Sequence, residues 1–267
     1  ADTSQHLPLY ENTHALAHFF RALKTKKKVR VAYYGDSQIE GDLITKELRE
    51  KFQDNFGGEG VGFVGITSIT AGFRQTITHT FSNNWKYVSM VNTKSSGAGL
   101  GISGERFSVI SDSISNSASI NISASKSYKR YKGLNSLYLY YGKTEKPFKI
   151  SFESDGKSID KELKDTLAVN RTLISNQNLE KIKIKIKANS NQHFYGLSSE
   201  SDSGVIIDNF SSRGNSGLAL ASINSEILKS FNKWMDYDLI VFQFGINVTN
   251  ANMKDYNWYY KAFLKVI

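Results

Sequence analysis

The chain has 267 residues, of which 40% are hydrophobic and 22% charged, so it can bury the core of a globular protein. No run approaches the roughly eighteen apolar residues that cross a bilayer, and residues 1–10 lack the basic-then-apolar pattern of a secretion signal. The formal net charge of +9 favours anionic partners, and the lack of cysteine excludes disulfides and thiolate metal sites.

The first elements in chain order are a helix, a strand and a second helix. Apolar residues at helical spacing predict a helix over 8–23, and VRVAYY at 29–34 predicts a buried strand. A second amphipathic helix is predicted to begin directly after Ser37 and to end at NFGGEG, residues 55–60. This order indicates the first unit of an α/β sheet. The basic run at 24–30 lies at a helix end, where cations complement the dipole, so we interpret it as a solvated helix end.

Residues 72–199 have a different sequence pattern, with short runs of Thr, Ser, Tyr, Ile and Val. In EKIKIKIKA, residues 180–188, isoleucine alternates with lysine, as a half-buried antiparallel strand requires. Six similar runs are FRQTITHTF, WKYVSMV, RFSVIS, ASINISA, LNSLYLYYG and FKISFES. Repeated short strands separated by turn residues predict a β-sandwich.

After residue 200 the sequence again has the pattern of alternating strands and helices. SGVIIDNFSSRGNSG predicts a strand followed by a glycine-rich turn, and an apolar stripe from Leu218 to Met235 predicts a helix. DYDLIVFQFG then predicts a parallel strand covered on both faces, and residues 252–267 open another helix. We therefore expect one α/β domain, residues 1–71 and 200–267, interrupted by an antiparallel β-sandwich at 72–199.

Three turns follow the predicted parallel strands: GDSQ, SSRGNSG and GINVTN. Ligands bind beyond the carboxyl ends of such strands, because loops and helix N-termini converge there. Ser37 begins a helix, where an unpaired N–H and the helix dipole favour negative charge, so it suits a nucleophile. The alternative is that Asp36 or Ser37 is an N-cap.

Two further residues would complete a site around Ser37. Gly214 can bring its backbone N–H close to a ligand, and Asn247 offers a neutral amide donor. Together with the N–H of Ser37 they would hold an oxyanion, a contribution of roughly 3–4 kcal/mol per donor. The alternatives are a turn glycine and a turn-forming amide.

The stretches YYGDSQIEGD, NFSSRGNSG and VFQFGIN resemble the first three blocks of the SGNH, or GDSL-like, hydrolase superfamily. That resemblance implies a flavodoxin-like three-layer α/β/α fold and an esterase or acylhydrolase with no cofactor or metal. It makes Ser37 the nucleophile and an oxyanion donor, with Gly214 and Asn247 as the other two donors. The interrupting β-sandwich is similar to the arrangement in bacterial envelope enzymes that handle acetyl groups on peptidoglycan or other polysaccharides. Exposed aromatics there, such as Trp85 and the Tyr138–Tyr141 run, would stack on sugars, unless they pack in the core.

The sequence departs from this family in its last part. The family's Asp-x-x-His block, which supplies the base and its orienting acid, is absent, and Val248 stands where an Asp is frequent. Glu11 and His14 have the right spacing with the wrong acid, and His14 with His18 has metal-ligand spacing on a helix without a third ligand. The five histidines are His6, His14, His18, His79 and His193. We expect that a C-terminal part, with the missing block and further strands, is lacking, since the third strand would otherwise be a free apolar edge.

The sequence thus predicts a serine esterase that removes short acyl groups, acetyl foremost, from an envelope polysaccharide such as peptidoglycan, through an acyl-enzyme on Ser37. The alternatives are an acetyltransferase that uses the same serine and a non-catalytic glycan-binding or scaffold protein. We expect no nucleic-acid partner, because no binding motif accompanies the charge, and a location in the bacterial periplasm or on the cell surface.

Overall fold

A computed structural model describes residues 13–92, 99–110, 117–250, 252 and 254–267. His6, Glu11 and the start of the helix predicted over 8–23 lie outside the described residues. The strands are β1 (Lys28–Gly35), β2 (Gly62–Val64), β3 (Ile77–Phe81), β4 (Trp85–Ser89), β5 (Glu105–Val109), β6 (Ser117–Ala124), β7 (Ser136–Gly142), β8 (Phe148–Ser154), β9 (Lys157–Leu163), β10 (Val169–Ser175), β11 (Lys181–Lys187), β12 (Phe194–Glu200), β13 (Gly204–Ser211) and β14 (Leu239–Gln243). The α-helices are α1 (Ala17–Thr25), α2 (Thr45–Phe56), α3 (Ser225–Met235) and α4 (Asn257–Phe263), and 3-10 helices span Thr13–Leu16, Ser37–Asp42, Lys129–Tyr131 and Leu218–Ser222.

The described strands form three sheets. One is parallel, with the order β13-β1-β14. A six-stranded antiparallel sheet has the order β10-β7-β12-β5-β4, with β2 paired to β12, and a five-stranded antiparallel sheet has the order β3-β6-β11-β8-β9. The seven runs predicted as strands in the middle of the chain coincide with β3 to β8 and β11, so these predictions are confirmed.

The two antiparallel sheets face each other across the largest hydrophobic cluster. Phe107, Leu139 and Phe194 of the six-stranded sheet contribute to it, together with Ile120 and Ile184 of the five-stranded sheet. In β11 the isoleucines are buried and the lysines exposed, as the alternation predicts. The antiparallel pairing begins with β2, ahead of residue 72, and the boundaries at 72 and 199 stay a prediction.

The parallel sheet is covered differently on its two faces. On one face, Val29 and Val31 of β1 pack against Phe19 of α1, with Leu48 and Phe52 of α2 beside them. On the other face, Ala32 and Tyr34 of β1 share a cluster with the α3 residues Phe231 and Met235, and with Phe63, Tyr140 and Tyr195 of the six-stranded antiparallel sheet. This second face therefore lies partly against a sheet.

The predicted fold class, a flavodoxin-like three-layer α/β/α core, is wrong. Of the fourteen described strands eleven belong to antiparallel sheets, so the chain is mostly β, with few helices. The physical reason is that the six-stranded antiparallel sheet covers much of one face of the small parallel sheet, where the predicted fold has a layer of helices. The expectation that both faces of β14 are covered is also wrong, since none of its five residues is buried and Ile240 is 52% exposed.

Candidate active site

The three predicted site residues follow strands whose carboxyl ends are level. Gly35, the last residue of β1, pairs with Ser211 at the end of β13 and with Gln243 at the end of β14. The predicted residues therefore lie two to four positions after the aligned carboxyl ends of the three strands. The backbone N–H of Ser212 also donates to the carbonyl oxygen of Gly35 over 2.9 Å, which holds the turn after β13 against the end of β1.

Ser37 is the first residue of the 3-10 helix Ser37–Asp42 and is partly exposed. Asp36 is the N-cap of this helix, because its Oδ1 accepts from the backbone N–H of Gln38 over 2.9 Å. Within the described residues the Ser37 hydroxyl makes no hydrogen bond. Asp36 therefore caps this helix, and the hydroxyl of Ser37 has no hydrogen-bond partner within the described residues.

The helix after Ser37 is shorter than predicted. Glu40 and Gly41 have non-helical torsion angles, and the α-helix α2 begins only at Thr45. The first N–H groups of the 3-10 helix still lack intrahelical partners, which is the property that the site requires.

Gly214 lies on an exposed turn with a φ of +74°, a conformation that L side chains rarely adopt. A Cβ at this position would meet no atom within 4 Å, so the space beside the Gly214 backbone is open. The glycine is therefore required by the backbone conformation, and the open space leaves the turn accessible to a ligand.

Asn247 connects the two other loops. Its Nδ2 donates to Asp36 Oδ2 and to the carbonyl oxygen of Asn215, each over 3.0 Å. Asp36 adjoins Ser37 and Asn215 adjoins Gly214, so the structure brings the three predicted loops together around one carboxamide. Both N–H groups of that carboxamide are used by these two bonds, and an oxyanion would have to replace one of them.

Two further residues of this site, which adjoin Ser37 and Gly214, were not predicted from the sequence. The Asp36 side chain is fully buried and accepts from both Gln38 and Asn247. Asn215 is buried, and its Nδ2 has no hydrogen-bond partner within the described residues. The only sequence signal for either residue is its position beside Ser37 or Gly214, because Asp and Asn are ordinary turn residues.

Helix α4 supports the turn that carries Gly214. The hydroxyl of Tyr259 donates to the carbonyl oxygen of Ser216 over 2.6 Å. Burial, together with the charge of Asp36, raises the pKa of Tyr259. Its hydroxyl therefore stays protonated at neutral pH and can keep donating this bond.

None of the described histidines contacts Ser37. His18 lies 3.6 Å from Asp238, which directly precedes β14. This pair therefore lies at the amino-terminal ends of the parallel strands, whereas Ser37 follows their carboxyl ends. His79 is buried against the carbonyl oxygen of Ile66, and burial lowers its pKa to about 4. Burial and the charge of Arg106 lower the pKa of His193, and His14 is exposed. In the described part of the chain, the structure offers Ser37 no histidine base.

Three of the four aromatic residues predicted as sugar-stacking examples belong to the core, and the fourth, Tyr138, is partly buried. Trp85 is 8% exposed, and its indole N–H donates to the carbonyl oxygen of Ser119. Tyr140 and Tyr141 are buried, and Tyr138 lies beneath the guanidinium of Arg171. Core packing, the alternative considered for them, is therefore the correct interpretation.

Across the residues that the structure describes, no three His, Cys, Asp or Glu side chains are grouped to hold a metal ion. No described helix has the length and apolar character needed to cross a membrane.

Comparison with known proteins gives a likeness in fold. No family model and no curated protein matches the chain. A solved peptidoglycan O-acetylesterase superposes on 94% of this chain and 67% of its own, with a TM-score of 0.66 and 15% identity. The carbohydrate-binding module TmCBM61, solved with β-1,4-galactotriose, covers 51% of this chain and 96% of its own at 16% identity, but its TM-score of 0.26 supports no argument. The first likeness establishes a shared fold.

Proposed function

We propose that this protein is a carbohydrate esterase of the SGNH type that removes short acyl groups, acetyl foremost, from an envelope polysaccharide. The observation that carries the proposal is the Asn247 carboxamide, which is bonded to the neighbours of both Ser37 and Gly214. The fold shared with a solved peptidoglycan O-acetylesterase supports the same class of reaction and makes peptidoglycan the first substrate to test.

In the proposed reaction, Ser37 Oγ bonds to the acyl carbon while its proton passes to a base. The N–H groups of Ser37 and Gly214 and one N–H of Asn247 hold the oxyanion of the tetrahedral intermediate. The bond from the acyl carbon to the sugar oxygen then breaks, and that oxygen takes the proton. Water repeats the sequence on the acyl-enzyme and releases the carboxylic acid. None of the five histidines of this sequence is assigned as the base.

The test is the substitution Ser37→Ala in the complete gene product. We expect hydrolysis of nitrophenyl acetate and of acetylated peptidoglycan to fall by roughly 10³-fold or more, because the nucleophile is lost. Ser222→Ala is the matched control, since Ser222 is an exposed serine in the neighbouring 3-10 helix Leu218–Ser222. Hydrolysis that survives Ser37→Ala unchanged would falsify the proposal.

Two other functions use the same observations. An acetyltransferase would pass the acyl group from Ser37 to a sugar hydroxyl in place of water, and acetyl transfer onto an added glycan would reveal it. A non-catalytic glycan-binding protein is favoured by the Asn247 amide, whose two N–H groups are already bonded to protein atoms. That function predicts glycan binding by a wild-type protein that hydrolyses neither ester.

We also propose a location in the bacterial periplasm or on the cell surface, where a chain of net charge +9 would meet anionic wall polymers. Cell fractionation tests this location, and recovery of the protein in the cytoplasmic fraction would contradict it.

A further inference from the structure

A cleft of about 320 Å³ opens beside the candidate active site. Glu40, on one wall, belongs to the same 3-10 helix as Ser37, and Ser212, also on the wall, lies two residues before Gly214. Residues 209–211 of β13 also line it, and most of the remaining wall comes from the antiparallel sheets and their loops, including Tyr87 of β4. A ligand in this cleft would therefore extend away from Ser37 along the junction of the two kinds of sheet.

The charges of the cleft wall argue for a neutral ligand. Arg74 forms an ion pair with the buried Asp42 over 2.7 Å. Arg213 donates to both carboxylate oxygens of Glu40, over 2.9 and 2.7 Å. Each arginine among the described wall residues thus lies against a carboxylate, and the wall contains no lysine. Asp42 also pairs with the fully buried Arg49, so the Asp42–Arg49–Arg74 group carries one net positive charge, which Glu105 on the same wall balances when it is ionised. Phosphate and carboxylate ligands would have to compete with these carboxylates for the two arginines, whereas hydroxyl groups would find polar partners.

One carboxyl group of the wall has an open oxygen. The hydroxyl of Tyr87 donates to Glu105 Oε1 over 2.8 Å, and Glu105 Oε2 makes no hydrogen bond within the described residues. Burial raises the pKa of Glu105 to about 7, against the effect of the Tyr87 bond. The Tyr87 ring is 40% exposed, so an aromatic surface lies next to a hydrogen-bonding carboxyl group. This pairing is suited to a sugar, which presents both apolar C–H faces and hydroxyl groups.

Ser103 supplies a second, independent indication of a ligand. It lines the cleft and is only 7% exposed, and its hydroxyl has no partner within the described residues. A buried hydroxyl without a hydrogen bond is unfavourable and uncommon in native proteins. A ligand hydroxyl in the cleft would satisfy it.

We propose that this cleft binds a neutral sugar residue of a glycan, with Glu105 and Ser103 bonded to its hydroxyl groups and Tyr87 packed against its ring. The identification of that glycan as the acylated substrate rests on the proposed function, but the binding of the sugar does not require turnover. The cleft thus extends the candidate active site by one glycan subsite.

The binding should depend on pH through Glu105. The titratable groups facing the cleft with it are Tyr87 of β4, the Asp42–Arg74 pair and the Glu40–Arg213 pair. Burial raises the pKa of Tyr87 far above neutrality, and the charges of Arg49 and Arg74 overcome burial to lower that of Asp42. Sugar hydroxyls donate more strongly to a carboxylate than to a carboxylic acid. With a pKa of about 7, Glu105 becomes roughly tenfold more ionised from pH 6 to pH 8, so affinity should rise by at most that factor.

The experiment measures binding by calorimetry in the complete protein carrying Ser37→Ala, which prevents turnover. The probes are short neutral oligosaccharides, including peptidoglycan glycan fragments and chitooligosaccharides, and uronic acid oligosaccharides of similar length. We expect at least one neutral probe to bind, more tightly at pH 8 than at pH 6, and the uronic acid probes to bind more weakly. Adding Glu105→Gln should weaken the binding by roughly tenfold and remove its pH dependence. Glu162→Gln, on the exposed strand β9, is the matched control and should change neither.

A second variant separates binding from folding. Ser103→Ala removes an unpaired buried hydroxyl, so it should leave the melting temperature unchanged or higher while it weakens binding. The proposal is overturned if no neutral probe binds, if the uronic acid probes bind best, or if both variants bind as the parent does. The proposed function is tested separately, by measuring ester hydrolysis with the protein that retains Ser37. Failure of sugar binding can therefore be distinguished from failure of the proposed function.

Discussion

At the scale of single residues, the site depends on a buried carboxylate. Asp36 holds the start of the 3-10 helix through Gln38 and orients the carboxamide of Asn247 over 3.0 Å. Because Asn247 also bonds to the carbonyl oxygen of Asn215, this one carboxylate fixes the amide that joins both loops. We therefore regard Asp36 as a positioning residue for the proposed oxyanion donors.

The substitution Asp36→Asn tests this role. The amide keeps the size of the side chain but loses the charge that accepts from Asn247, so kcat for nitrophenyl acetate should fall by roughly 10-fold to 100-fold. KM should change less, because Asp36 is not expected to contact the substrate. Asp160→Asn, on the exposed strand β9, provides the control. An unchanged kcat, or a change in KM alone, would remove the positioning role.

At the scale of elements, helical periodicity predicted the segment after Ser37 only in part. Gly41 and Asp42 have φ values of +58° and +67°, which no α-helix allows. The carboxylate of Asp42 is buried between Arg49 and Arg74, so these ion pairs, formed by residues later in the chain, outweigh the local helix propensity. The same limit applies to β14, whose apolar composition predicted two covered faces, whereas none of its five residues is buried.

Among the described strands β14 pairs only with β1, which leads to a prediction about self-association of the 267-residue chain. Ile240→Lys places a charge on an exposed position of this edge, and edge lysines oppose pairing between chains. The free energy of unfolding should change by less than about 0.5 kcal/mol, since the site is at the surface. Light scattering at increasing protein concentration should show less association than wild type. Leu167→Lys, at a similarly exposed loop position, should not have this effect, and equal association of Ile240→Lys and wild type would contradict the prediction.

At the scale of the whole molecule, a buried charge network joins the parallel sheet to the six-stranded antiparallel sheet. Arg30 of β1 donates to Asp208 of β13 over 2.6 and 3.0 Å, to Ser198 of β12 over 3.0 Å, and to Glu200 of β12. Burial alone would raise the pKa of Glu200, but the charges of Arg30 and Lys28 outweigh it and lower that pKa to about 2. The junction of the two sheets is therefore stabilised by charges that depend on one another.

Arg30→Met should destabilise the protein by about 3–5 kcal/mol, because it leaves the buried Asp208 without its cation and the buried Glu200 with Lys28 alone. Unfolding in denaturant at neutral pH measures this loss. Arg130→Met, which removes the surface ion pair with Asp54, is the control and should cost at most about 1 kcal/mol. Since the pKa of Glu200 is lowered on folding, its contribution in wild type is present above pH 4.5 and is lost as pH falls towards 2. A loss in Arg30→Met no larger than that of the control would contradict this account.

The sequence alone determined the local features of this protein. Alternation of isoleucine and lysine fixed β11, apolar runs fixed β1, β13 and β14, and the residues that follow those three strands marked Ser37, Gly214 and Asn247 as one candidate site. These features are readable because a strand's burial pattern and a turn's chemistry depend on neighbours in the chain.

Only the tertiary structure decided the rest. The sequence predicted that the loops of Asp36 and Asn247 lie close together, but not the bond between these side chains, which are 211 residues apart. Arg30 and Asp208 are 178 residues apart, and nothing in the local sequence indicates that they meet. The packing of the antiparallel sheet against the parallel one and the cleft with Glu105 also depend on contacts between distant segments. Burial and charge pairing between distant segments set them, and they set the pKa of Glu105 and Glu200 as well.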